Sequence, residues 1–402
     1  MLKLVRNING VQLKALYFNS SRLCSTSFLL PNQVISSFSS YLVQNLGFSH
    51  PQSLATSSKL AHYRECDGSK KLNFTYFASN ANLVIDLLKD YGFNQDQIRI
   101  FLIKDQIRIL ISYDPRILSA SVEKTLKPKL KFFKDEGFSE SDLVQVLCEN
   151  PSILKSGLNS RIVPTIRALK EFIVCYDDVI LFLKKSSKWI VFSSVLKYLV
   201  KNVALLQSYG IPIENIRKRL VSSPNPFLHN SKSFEDITIR VEQKLGIPRQ
   251  SGSFMYGIHL LSTNSEKNIE SKMEVMESFG WKKSDILTLC RRCPLSLAFS
   301  EASIKRKLEF LVNELGLKPA YIASNFVLLT CSLEKRVMPR HKIVSVLKEK
   351  GLIKANASLD GAVRLSESRF LNKFVLPFEE VHQLYTQLTG VALDTLHGDV
   401  AT

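Results

Sequence analysis

The sequence predicts an all-α solenoid of helical hairpins stacked along the chain, and three observations predict it. A Gly followed by an apolar residue recurs at Gly137-Phe138, Gly210-Ile211, Gly246-Ile247, Gly280-Trp281, Gly316-Leu317 and Gly351-Leu352, at spacings of 73, 36, 34, 36 and 35. An aliphatic residue stands six after the Gly, at Leu143, Ile216, Ile286 and Ile322, and at Ile98 after an earlier Gly92. A Pro stands 14 after it at Pro151, Pro224 and Pro294. A period near 35 over most of a 402-residue chain belongs to a repeat array rather than to separate compact cores. The first spacing is double, so one unit has lost its Gly near Ile173 or Val174.

Each element follows from the chemistry of its residue. Gly closes a helix in the left-handed conformation. Ser139-Glu140-Ser141-Asp142 then offers a cap and an acidic first turn to the next helix. Leu143, Val144 and Leu147 give that helix an apolar stripe, and Pro151 stops it. A second Pro follows the first by 13 residues at Pro128 and Pro164, and suits the first turn of the following helix. Phe326 precedes Pro339 by the same 13 and takes the first-Pro slot. One hairpin cannot bury its own apolar face, so neighbours must stack.

Several stretches depart from this pattern. Gly92 to Pro115 is nine residues too long, and the excess is a tandem copy, DQIRIFLIK at 96–104 followed by DQIRILISY at 105–113. The unit near 174–190 has Lys188-Trp189-Ile190 where Pro-x-Ile is expected, and the Gly246 unit has Leu260 in its Pro slot. An earlier unit starts at Gly47-Phe48, and 64–80 reads as a polar linker.

Composition narrows the function. The apolar fraction of 45% and mean hydropathy of +0.02 are those of a folded protein, and no apolar run is long enough to span a membrane. Collagen, coiled-coil and low-complexity classes are excluded. Seven dispersed cysteines are odd in number and make no disulfide framework, which fits a reducing compartment. Cys290-Arg291-Arg292-Cys293 is a lone CxxC without the second pair that zinc needs. No phosphate loop, dinucleotide fingerprint, nucleophile elbow or paired acidic motif occurs, so no catalytic residue, metal or cofactor is assigned and an enzyme is not expected.

The charge is the positive clue. There are 54 Lys+Arg against 36 Asp+Glu, a net +18, and a polyanion partner follows by counterion release. Part of the excess belongs to the amino terminus, where residues 1–64 hold six basic residues and no acidic one. That stretch is Ser-rich and its first 18 residues can form a basic amphipathic helix, the composition of an organellar transit peptide. Arg22-Leu23-Cys24-Ser25-Thr26 resembles a plant mitochondrial processing site. Mitochondrion is therefore the expected location, chloroplast the alternative. The candidate phosphate contacts are Lys124, Lys127 and Lys129, then Arg291 and Arg292, then Lys305, Arg306 and Lys307, then Lys335, Arg336, Arg340 and Lys342. Lys131, Arg217, Lys218, Arg219, Lys282 and Lys283 extend the clusters. Lys124, Lys127, Lys335 and Arg336 share a phase after their Pro or its equivalent, and equal phase in an array makes a stripe.

These residues carry a family resemblance. VKNVALLQSYGIPIENI (200–216), GWKKSDILTLCRRCP (280–294), SLEKRVMPRHKIVSVLKEKGLI (332–353) and FLNKFVLPFEEVHQLY (370–385) are similar in form and order to the mitochondrial transcription termination factor (mTERF) family, its plant branch above all. The resemblance covers roughly 40–390. It implies units of two α-helices and a short 3₁₀ turn, stacked as a right- or left-handed superhelix shaped as a curved half-ring. It also implies binding of organellar DNA or RNA, in transcription termination or initiation or in splicing. The expected organisation is a leader, disordered over 1–38, an atypical first repeat and linker over 39–80, repeats over 81–353, capping helices over 354–390 and a tail over 391–402. A monomer is expected, alongside other organellar gene-expression proteins. The competing reading is an α-solenoid scaffold that binds protein. The tetratricopeptide residue set is absent, and pentatricopeptide units lack the Pro 14 after Gly.

Overall fold

A computed structural model describes residues 32–66, 74–93, 106–186 and 193–391, and every element among them is helical. They fall into two compact units, one drawn from Met1–Lys201 with Glu214–His229, the other from Asn202–Ile213 with Asn230–Thr402. The leader up to residue 31, the first tandem copy at 96–104, Lys188-Trp189-Ile190 and the tail beyond 391 lie outside the described residues.

The helix Lys127–Asp135 shows the local code. It closes at Gly137, whose φ of 86° is open to glycine at no steric cost. The Phe138 amide reaches back to Phe133 O at 3.0 Å, and the ring is buried. Ser139 and Asp142 then form the expected capping box at the start of Glu140–Glu149, whose Leu143, Val144, Val146 and Leu147 are buried. Pro151 ends that helix and opens a 3₁₀ turn, Pro151–Lys155, which buries Ile153 and Leu154. Pro115–Ser119 and Pro294–Ala298 repeat that turn, with Ile117 and Leu118, then Leu297, buried. The residue before the Pro ties units together: Asn150 Nδ2 donates to Leu183 O at 3.3 Å and to Ser186 O at 2.9 Å. Leu143, Ile216, Ile286 and Ile322, each six residues after its Gly, are at most 2% exposed.

The second Pro stands in the first turn of an α-helix, as the sequence suggests, but a π-helical turn that the sequence does not show runs directly into that helix. The turns Val122–Leu126, Leu158–Ile162 and Leu333–Val337 run directly into helices that carry Pro128, Pro164 and Pro339 in their first two positions. The cause is steric. A proline within an α-helix clashes with the carbonyl four residues back and offers no N–H. The wider turn, with the Lys127 amide bonded to Val122 O, relieves that clash and takes in one extra residue.

Other departures have equally local causes. With Leu260 in the Pro slot, the helix Phe254–Thr263 runs on unbroken. Phe326 substitutes for Pro well enough to start the short helix Val327–Thr330, and Leu328 and Leu329 are buried. Where the Gly is lost, the chain leaves the helix Val163–Phe172 at Ile173 in an extended conformation, φ −108°. A helix Asn32–Leu46 begins within the segment expected to be a disordered leader and buries Phe38 and Leu42, because these apolar residues fall at helical spacing. The 64–80 linker is shorter than expected: His50–Cys66 and Phe74–Asp90 are helices, the second carrying the buried Phe77. The second tandem copy forms the helix Gln106–Tyr113 with Ile107, Leu110 and Ile111 buried. At the carboxy end, Glu367–Phe374 and His382–Thr389 pack Phe370, Phe374, Val375, Val381 and Tyr385 on Ile343 and Leu347.

Candidate nucleic-acid interface

Most candidate cations sit on the helical segments that follow a short turn, whereas Arg291 and Arg292 end the helix Lys283–Arg292, ahead of the turn Pro294–Ala298. Ser121 and Ser332 cap the starts of two of these, each hydroxyl accepting the amide three residues on, Lys124 N and Lys335 N, both at 3.2 Å. Lys124 and Lys335 thus occupy one position in two different units, and both are exposed. Lys305 and Lys342 are exposed as well. None of these four pairs with a carboxylate among the described residues. Lys127 is exposed but paired with Glu123 at 3.0 Å, one turn back, and Arg306 pairs with Glu334. Such exposed pairs are weak and yield readily to a phosphate. Arg291 and Arg292 are exposed and anchored, Arg291 Nε to Gly246 O at 2.9 Å and Arg292 Nη1 to Ser324 O at 3.4 Å.

The remaining candidates face inward. Lys129, Lys307 and Arg340 are only 5%, 6% and 2% exposed. Lys129 Nζ donates to Leu154 O and Lys307 Nζ to Leu329 O. Arg340 donates through Nη1 to Ala362 O at 2.8 Å and Leu365 O at 2.7 Å, and through Nη2 to Glu367 at 2.6 Å, with its guanidinium 4.4 Å from the Phe370 ring centroid. Arg336 is half-buried and donates to Val363 O and Leu365 O. Of the four residues whose shared phase the sequence suggested, Lys124, Lys127 and Lys335 are exposed, and Arg336 turns to the carbonyls of a neighbouring turn instead.

A fourth pin escaped the sequence reading. Lys272, 2% exposed, donates to Leu297 O at 2.8 Å. The acceptors Leu154, Leu297 and Leu329 all stand three residues after Pro151, Pro294 or Phe326, the first-Pro slot. The donors also obey a rule. Lys272 and Lys307 come seven residues after the capping Ser265 and Ser300, whereas Lys129 and Arg340 come eight after Ser121 and Ser332. The extra residue is the one the π turn takes in; in the Ser300 helix the π turn, Glu309–Glu314, comes only after Lys307. Counting from the capping serine finds the pins only once the place of the π turn is known. Burial pushes the affinity of Lys129, Lys272, Lys307 and Arg340 for their protons down, opposed at Arg340 by Glu367 and at Lys272 by Glu301.

The CxxC pair lies at the end of Lys283–Arg292: Cys290 is buried on the helix, its thiol pushed up to about 12 by burial, and Cys293 follows the helix. Among the described residues, no group of three or more His, Cys, Asp or Glu is placed to hold a metal ion. No helix among them is long and apolar enough to cross a membrane.

Comparison with known proteins agrees with this architecture. The mTERF family description matches residues 44–251 and 197–371. Of curated proteins, the mitochondrial transcription termination factor MTEF18 of Arabidopsis thaliana is 25% identical over 275 residues, 62% of this chain and 48% of its own. The chloroplastic transcription termination factor MTERF8 of Arabidopsis thaliana is 21% identical over 262 residues, 65% and 51% respectively. The mitochondrial transcription termination factor MTERF15 of Arabidopsis thaliana is 25% identical over 117 residues, 29% and 26%. The chain spans about half or less of the length of these relatives. With the family pattern running through both compact units, and with its Gly, Pro and aliphatic positions each at work in the fold, this all-α repeat protein belongs to the mTERF family.

Proposed function

We propose that the chain is an organellar nucleic-acid-binding protein that regulates organelle transcription, at termination or initiation, or acts in RNA splicing. The observation that carries this reading is the set of exposed lysines without a carboxylate partner among the described residues, Lys124 in one unit and Lys305, Lys335 and Lys342 in the other, of which Lys124 and Lys335 stand at serine-capped helix starts. Such lysines hold phosphate as point charges, and at Lys124 and Lys335 the partial positive charge of the first helical turn adds to them. The names of the relatives, transcription termination factors of mitochondria or chloroplasts, supply the process. They also favour an organelle, the mitochondrion first on the Arg22 processing pattern and the chloroplast as the alternative. The protein acts as a monomer and without a catalytic step.

The test is a salt titration of affinity for duplex DNA and for RNA. Binding through phosphates makes log K fall linearly with log salt, with a slope of about −0.9 per phosphate on duplex DNA. Affinity for neither polymer, or affinity without a salt slope, would leave the protein-binding scaffold as the better reading. Crosslinking in organelles followed by sequencing of the bound polymer then separates DNA from RNA and identifies the target.

A further inference from the structure

A second set of cations in the first unit is organised by a buried carboxylate rather than by a helix start. Asp114, its side chain 2% exposed, accepts from Arg116 Nε at 3.0 Å and Nη2 at 2.9 Å and pairs with Lys155 Nζ at 2.7 Å. Burial pushes this carboxyl up, but the hydrogen bonds from Arg116 and Lys155 outweigh that and hold it below its ordinary value, so it is ionised. The Arg116 guanidinium lies 3.8 Å from the centroid of the Tyr63 ring, and Lys155 Nζ is 5.9 Å from the same centroid. Lys59, one turn before Tyr63 on its helix, donates to Ser112 O at 2.9 Å. The rings are accessible: Tyr113, beside Asp114 in the chain, is 40% exposed, and the exposed His62 ring is 6.4 Å from that of Tyr63.

Among the described residues, one buried carboxylate therefore pairs with two cations, with Lys59 within reach of its charge, next to the rings of Tyr63, Tyr113 and His62. A clamp between neighbouring turns is complete with a single cation. Arg116 and Lys155 keep 32% and 43% of their side chains exposed, so the excess charge faces solvent. We propose that this cluster binds a single-stranded polynucleotide, with a phosphate at Lys155 and Arg116 and a base against Tyr113. Phosphate answers the charge, and an accessible aromatic face answers an unstacked base, which a duplex withholds. The bidentate grip of Asp114 fixes the Arg116 plane in advance and lowers the ordering cost of binding. This site rests on the nucleic-acid reading above but uses none of the lysines named there.

The experiment is fluorescence anisotropy with the full chain and three labelled probes: oligo(U), oligo(dT), both of about 12 nucleotides, and a hairpin duplex of similar length. Tyr113→Ser and Lys155→Gln should each weaken single-strand binding about tenfold and leave duplex binding within about twofold. Tyr113→Phe, which keeps the ring, should bind like the unaltered protein. Loss on either single strand supports the site, and the ratio of the two tells RNA from DNA. Unchanged single-strand binding in Lys155→Gln and in a folded Tyr113→Ser, or equal losses on single strand and duplex, overturns it; thermal melts check the fold. If the unaltered protein binds only duplex, this site fails alone; if it binds none of the probes, the function proposed above fails with it.

Discussion

Lys272 shows what a single residue does in this fold. Its hydrocarbon stem is buried and its amine satisfies the Leu297 carbonyl at the end of a short turn. Lys272→Ala leaves that carbonyl unpaired and a void beside it, and should cost about 1–3 kcal/mol in urea unfolding. Lys267→Gln, exposed one turn earlier on the same helix, should change stability by less than about 0.5 kcal/mol. Equal effects would show that Lys272 is not a pin. Asp114 gives a pH signature. Its carboxyl is held below the ordinary value in the folded state by Arg116 and Lys155. Its contribution is therefore complete above the unfolded carboxylate value and is lost as pH falls through the lowered one. Asp114→Asn should be less stable at neutral pH and lose less stability on acidification than the unaltered protein. Parallel acid-unfolding curves would argue against this assignment. The sequence could not separate Lys129, a pin, from Lys131, which is exposed, because the carbonyl that decides between them lies 25 residues away from the first.

At the scale of the element, most of the structure follows from neighbouring residues. The Gly turns, the capping box at Ser139 and the 3₁₀ turn at Pro151 each depend on one residue's backbone preference, so the sequence shows them plainly. The π turns do not show, because a missing N–H suits a proline in the first helical turn and behind a wide turn alike. The wide turn carries a prediction. Deleting Thr125 together with Pro128→Ala removes the extra residue and the ring that required it, so the helix becomes regular and Lys129 keeps its place. Deleting Lys267 from the regular helix Glu266–Ser278 instead rotates Lys272 and the buried Met276 by about 100° relative to the capping turn. The first variant should melt within a few degrees of the unaltered protein and the second should lose its cooperative melt, both read by circular dichroism. Similar damage from both would mean that the wide turn is not an inserted residue.

For the molecule as a whole, net charge overstates the surface available to phosphate. Of the chain's +18, the cations at Lys129, Lys272, Lys307 and Arg340 are turned into the repeats, and several exposed ones already hold carboxylates or carbonyls. The family and the repeat were legible in the sequence, because each depends on composition or period. Which cations stay exposed was not, because burial is a property of the packed array. The whole-chain expectation is a salt slope set by the exposed lysines. Lys305→Gln, Lys335→Gln and Lys342→Gln combined should weaken duplex binding and lower the slope by about 2–3. An unaltered slope would move the contact surface elsewhere in the chain.

The pins have a kinetic consequence. Each joins residues only 22 to 25 positions apart. Rings of that size close with little entropy loss, so a unit can order itself once its immediate successor has been made. Growth from the ribosome would thus lock the array progressively, each cation finding its carbonyl before distant segments exist, and a fault in one unit would stall only its neighbours.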